Sequence, residues 1–113
     1  MTGKSLHPAT LAAQALGWTD GSTGAVVLPV HTATTYLRDP DNQYRRGRSY
    51  GHADNPSYDQ PQALMTALEG GAASLVFSSG MAAAAAVFQC LGRDAHVVAP
   101  QVMYWGLGDC AAG

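Results

Sequence analysis

The spacing of apolar and polar positions changes several times along the chain, and each change marks an element. Residues 5–17 (Ser-Leu-His-Pro-Ala-Thr-Leu-Ala-Ala-Gln-Ala-Leu-Gly) predict a short helix closed by Gly17, with a polar turn over 19–24. This stretch is expected to be an arm rather than a core element. Residues 25–30 and 32–36 are β-rich runs separated by Pro29, which predicts extended, edge-like backbone. Residues 37–55 carry Arg, Asp, Gly, Asn and Tyr without periodicity, so they form a long loop of the kind that is either functional or disordered.

Asn55-Pro56 has the form of an N-cap followed by proline at the first helical position, and Leu64, Met65 and Leu68 make an apolar stripe ending at Gly70. A helix over about 57–69 is expected, with Pro61 delaying or kinking its first turns. Beyond it, 73–77 reads as a buried strand, 78–80 as a tight turn, 81–91 as an apolar helix and 96–99 as a second strand. Strand, turn, helix and strand in that order predict a βαβ unit in an α/β fold. A further helix starts after Tyr104, and the chain stopping within it reads as a truncation.

Composition narrows the picture. Only 12% of the 113 residues are charged, against 47% hydrophobic, which suggests extensive buried surface. A net charge of -2 disfavours nucleic acid and anionic lipid as partners. The apolar run at 81–88 is too short to span a membrane and residues 1–17 lack a signal-peptide core, so a cytoplasmic protein is expected. Cys90 and Cys110 are too few for a disulfide framework and read as reduced thiols. The four histidines lack ligand spacing, so no metal site is expected. The string from Gly106 to Ala111 fits G-x-G-x-x-A, but it does not directly follow a strand and leaves no room for the acidic residue a dinucleotide site needs.

Candidate chemistry gathers at Phe77-Ser78-Ser79-Gly80-Met81-Ala82. A helix N-terminus there would offer the Gly80 and Met81 amides and the Ser79 hydroxyl to a phosphate, or Ser79 and Gly80 simply turn the chain and cap the helix. The loop adds Tyr44, Arg45, Arg46, Arg48, Tyr50 and His52, which are phosphate donors or a solvated basic face. Tyr104 stands beyond the second expected strand, where an aromatic could stack on a planar ligand or pack beneath the loop.

Four segments in order, Thr23-Gly24-Ala25-Val26-Val27-Leu28-Pro29-Val30, Tyr50-Gly51-His52-Ala53-Asp54-Asn55-Pro56-Ser57, Leu68-Glu69-Gly70-Gly71 and the 77–82 turn, resemble the Cys/Met-metabolism family of pyridoxal-phosphate enzymes. That family includes cystathionine synthases and lyases and methionine γ-lyase. The resemblance covers nearly the whole chain. It implies the N-terminal part of a fold-type-I large domain, beginning at about residue 58 and preceded by an arm and inter-subunit loop over 1–57.

The resemblance further implies that Gly80 and Met81 donate to the phosphate of pyridoxal 5′-phosphate with Ser79 beside them. Tyr104 would stack on the pyridine ring and assist proton transfer near the leaving group. Tyr50 would reach the phosphate of a neighbouring subunit in a homotetramer made of two dimers. His52 occupies the place of the family's arginine, and a neutral imidazole cannot replace a forked, permanently charged guanidinium unless Arg48 or Arg46 compensates. The family's Schiff-base lysine and its carboxylate opposite the ring nitrogen lie further downstream. The sole lysine, Lys4, is in the arm, so these residues by themselves are expected to be inactive. Implied is a transsulfuration-type enzyme performing β- or γ-elimination or γ-replacement on cystathionine, homoserine esters or related small amino acids. The competing expectation is a non-catalytic remnant or interaction module of such an enzyme. In either case the chain on its own is expected to be poorly soluble or to associate.

Overall fold

The computed structural model describes residues 6–112, with side chains as far as Asp109. Ser5 at the start of the expected arm helix, Lys4 and the side chain of Cys110 lie outside the described residues. Chain packing divides the molecule into two compact units, one running up to Leu75 and one from Val76 onward.

The first unit is organised around two helices. Helix α1 (Pro8–Gln14) starts where His7 Nδ1 accepts the Ala9 N–H, and a 3₁₀ turn, Ala15–Gly17, follows it. Helix α2 (Pro56–Glu69) has the ends its sequence prescribes. Asn55 caps it, Pro56 opens it, and Gly70 closes it at φ 62°, a left-handed geometry that glycine adopts without strain. Pro61 does not interrupt α2. It removes a single backbone donor within the first turns, and the rest of the helix bonds around it. The Gln60 amide reaches the Ala15 carbonyl at 2.8 Å and ties α2 to the end of the arm.

Asn55 is the one buried polar side chain among the described residues, and its two hydrogen bonds explain why it can be buried. Its Oδ1 accepts the Ser57 N–H at 2.9 Å, while its Nδ2 donates to the His31 carbonyl at 3.0 Å. The His31 N–H in turn donates to Ser57 Oγ at 2.8 Å, so the start of α2 grips the 29–33 backbone on both sides. Next to it, Thr35 and Tyr50 form an isolated antiparallel bridge. Gly51 lies so close that a Cβ there would sit 2.3 Å from the Ala33 carbonyl oxygen, which leaves room for glycine alone. The long loop is thus fastened at its end. Arg48 adds a second fastening through ion pairs with Asp54 and with Asp59 in the first turn of α2.

The polar turn at 20–25 is closed by Asp20, whose carboxylate accepts from the hydroxyls of Thr23 and Ser22 and from both of their backbone N–H groups. The Thr23 hydroxyl first, then the Ser22 hydroxyl, hold this carboxyl at about 2, below its ordinary 3.8. Because the folded value is the lower one, the turn keeps this support at neutral pH. The support weakens as pH drops below 3.8 and disappears as it passes about 2. An NMR titration of the Asp20 carboxyl carbon should give a midpoint near 2, and a midpoint near 4 would remove the turn's acid dependence.

The second unit contains helix α3 (Gly80–Gln89) and helix α4 (Trp105–Ala112), which pack against each other. The expected strands are not formed. Residues 73–77 and 96–99 have no regular structure and no ladder partners, no strand occurs among the described residues, and Leu75 and Val98 are 73% and 88% exposed. A strand exists only through hydrogen bonds to a neighbour, and among the described residues nothing supplies one to either segment. The βαβ expectation therefore reduces to its turn and helix, and 25–30 and 32–36 yield only the Thr35–Tyr50 bridge. The expected buried surface is also not found: no hydrophobic residue among those described is buried.

Candidate functional site

The turn into α3 follows from small residues. Ser79 is extended (φ -153°, ψ 156°) and its Oγ accepts the Ala82 N–H at 3.1 Å, while its carbonyl accepts the Ala83 N–H at 3.1 Å. The capping alternative is therefore realised, but it uses only the third and fourth donors of the helix. The N–H groups of Gly80 and Met81 have no acceptor among the described residues, and the Ser79 hydroxyl proton is still available for donation.

The residues that carry these donors, Ser79, Gly80 and Met81, line a concavity of about 480 Å³ together with Tyr104 and Leu107. Tyr104 is 57% exposed and immediately precedes α4, where its carbonyl accepts the Leu107 N–H at 2.9 Å. Its ring lies 5.7 Å from that of Trp105, tilted by 44°. Met81 projects from α3 toward the start of α4, and its sulfur comes close to Gly106. The concavity thus offers unpaired N–H groups at the positive end of a helix beside an aromatic ring. That donor set suits a phosphorylated planar molecule, the phosphate on the amides and the ring on Tyr104.

Four residues singled out in the sequence, Ser79, Gly80, Met81 and Tyr104, are therefore brought together. Tyr50 and His52 belong to the first unit, where both are exposed and their rings are 6.2 Å apart. Arg48 does not stand free to replace an arginine at position 52, because Asp54 and Asp59 both engage it. Arg45 pairs with Asp41 and Asp39, and this arginine holds the Asp41 carboxyl below its usual range. Sequence reasoning missed Leu107. Its position three residues after Tyr104, at a helix start, was the available signal, since that spacing places two side chains on one face.

Residues 9–110 match the sequence profile of the Cys/Met metabolism PLP-dependent enzymes. The chain belongs to this family. Among curated proteins, the cystathionine gamma-lyase of Bacillus subtilis is 39% identical over 87 residues, covering 77% of this chain and 23% of that enzyme. The cystathionine gamma-synthase of Mycobacterium bovis is 37% identical over 100 residues, covering 88% of this chain and 26% of its own length. The cystathionine beta-lyase MetC of Bacillus subtilis is 34% identical over 88 residues, or 78% of this chain and 22% of the relative. This member of the Cys/Met metabolism family thus spans about a quarter of the length of the relatives it matches. The family is pyridoxal-phosphate-dependent, and no described helix is long and apolar enough to cross a membrane.

Proposed function

We propose that the Ser79–Met81 turn holds the phosphate of pyridoxal 5′-phosphate and that Tyr104 stacks on its pyridine ring. The activity served is of the transsulfuration type, β- or γ-elimination or γ-replacement on cystathionine, a homoserine ester or a related amino acid. The observation that carries this reading is that Gly80 and Met81, whose amides find no acceptor among the described residues, line the same concavity as Tyr104. Once bound, the pyridoxal ring withdraws electron density from the substrate's α-carbon and eases loss of its proton. The amides and the Ser79 hydroxyl fix the phosphate end, the face of Tyr104 orients the ring, and its phenol is placed to hold or pass a proton near the leaving group. Residues 1–57 serve as arm and inter-subunit loop and residues from 58 onward begin the cofactor domain. Tyr50 and His52 reach a neighbouring subunit's phosphate in a dimer of dimers.

The lysine and the ring-nitrogen carboxylate that complete the chemistry are not assigned to any residue of this sequence. Lys4 stands in the arm and is the sole lysine. The 113 residues alone are accordingly expected to bind without turning over. His52 in place of arginine favours the second reading, a non-catalytic remnant or interaction module of such an enzyme.

Equilibrium dialysis with pyridoxine 5′-phosphate tests the cradle, because this alcohol has no aldehyde to react with Lys4 or the amino terminus. Pyridoxine, which lacks the phosphate, should bind at least about tenfold more weakly, the loss expected when charge-assisted hydrogen bonds go unmade. Tyr104→Ala should cost about three- to tenfold, the range for a lost ring contact. Equal affinity for pyridoxine and its phosphate would overturn the assignment.

A further inference from the structure

We infer that Gly106 is a positioning residue for the ring half of this site, a role that rests on the reading of the concavity given above. A Cβ at Gly106 would stand 3.2 Å from Tyr104 Cε1, 3.3 Å from Met81 Sδ and 3.5 Å from Met81 Cε. Gly106 is in the first turn of α4 and its φ is not in the left-handed region, so backbone conformation does not require glycine there. Helix propensity would even favour alanine. What glycine supplies is a notch. The edge of the Tyr104 ring and the tip of Met81 both border the space a β-carbon would fill, and both residues also line the concavity. A larger side chain must displace one or the other.

The two neighbours differ in what their displacement would change. Met81 gives its backbone N–H to the phosphate cradle, and that group is anchored by α3 however its side chain moves. Tyr104 contributes only its ring, whose position depends on its χ angles. Filling the notch therefore acts on the ring contact and leaves the phosphate contact in place. Gly106 touches neither phosphate nor substrate under this assignment. It acts through Tyr104, and it makes the site selective for phosphates that carry a flat ring over phosphate alone.

The experiment measures binding of pyridoxine 5′-phosphate and of inorganic phosphate to the 113-residue chain, with circular dichroism reporting helix content. Gly106→Ala should weaken pyridoxine 5′-phosphate roughly threefold, the scale of a side chain pushed off its rotamer, and leave inorganic phosphate unchanged. Gly106→Val should weaken it further through overpacking, up to the roughly three- to tenfold cost of Tyr104→Ala, again sparing phosphate. In a Tyr104→Ala background, Gly106→Ala should have no further effect, which a general structural role would not predict. Gly106 variants that bind both probes like the unaltered chain, while Tyr104→Ala loses the ring preference, would overturn this role and leave the cradle standing. Equal losses for both probes would also overturn it, because the variant would then be disturbing the turn. An unaltered chain that does not prefer pyridoxine 5′-phosphate to inorganic phosphate would remove the cradle assignment and this role together.

Discussion

Gly80→Pro is expected to weaken pyridoxine 5′-phosphate binding about 10- to 100-fold, the loss of a hydrogen bond to a charged group, while α3 remains folded. Proline at this position replaces the amide hydrogen with a ring carbon on the same nitrogen and leaves the helix geometry intact. Gly80 is the first residue of α3, where the N–H has no intrahelical partner and the fixed φ of proline suits the helix. The residue before a proline must be extended, and Ser79 already is, at φ -153° and ψ 156°. A Cβ at Gly80 meets no protein atom within 4 Å, so the added ring is not excluded by packing. Gly80→Ala introduces a β-carbon at the same place but keeps the donor, and should lose much less. Equilibrium dialysis with both variants, alongside circular dichroism at 222 nm, makes the comparison. Proline binding as tightly as glycine, with helix content intact, would show that the Gly80 amide does not hold the phosphate.

What could be read from the sequence was the part of the structure specified by neighbours along the chain. The start of α2 at Asn55-Pro56 and its stop at Gly70 are local events, settled by a side-chain cap, a fixed φ and a left-handed glycine. The turn at Ser79 is of the same kind, whereas Tyr104 is singled out by the family resemblance and by its place beyond a strand that does not form. Residues 73–77 and 96–99 have strand composition, yet composition cannot provide the adjacent strand that would satisfy their backbone. The same holds at the site. Arg48 looked like a free cation because its partners, Asp54 and Asp59, are six and eleven residues away and meet it only once the loop has folded back on α2. Gly106 read as one glycine in a string of small residues. Its contact with Met81 depends on how α3 and α4 pack, a relation no periodicity within either segment reports.

Expressed as these 113 residues, the chain should associate instead of sedimenting as a single 11.7 kDa species. Folding must offset about 1–2 kcal/mol of backbone entropy for each ordered residue, chiefly by burying apolar surface. The described residues provide no buried hydrophobic side chain to do this. Leu75, Val76 and Phe77 lie exposed in one of the two segments of strand composition and Val97 and Val98 in the other, with Val102 90% exposed just beyond. Both segments also present unpaired backbone N–H and C=O groups, which pair readily with another copy or another chain. Apolar side chains and open backbone edges in the same places make association the favoured way to remove both from water. Sedimentation velocity should show species several times the monomer mass that shift with concentration. Val98→Lys, a charge on the more exposed residue of its segment, should move the distribution toward smaller species without changing helix content. A sharp, concentration-independent boundary at the monomer mass would mean that these surfaces are covered within the chain itself, contrary to the exposure of Leu75 and Val98.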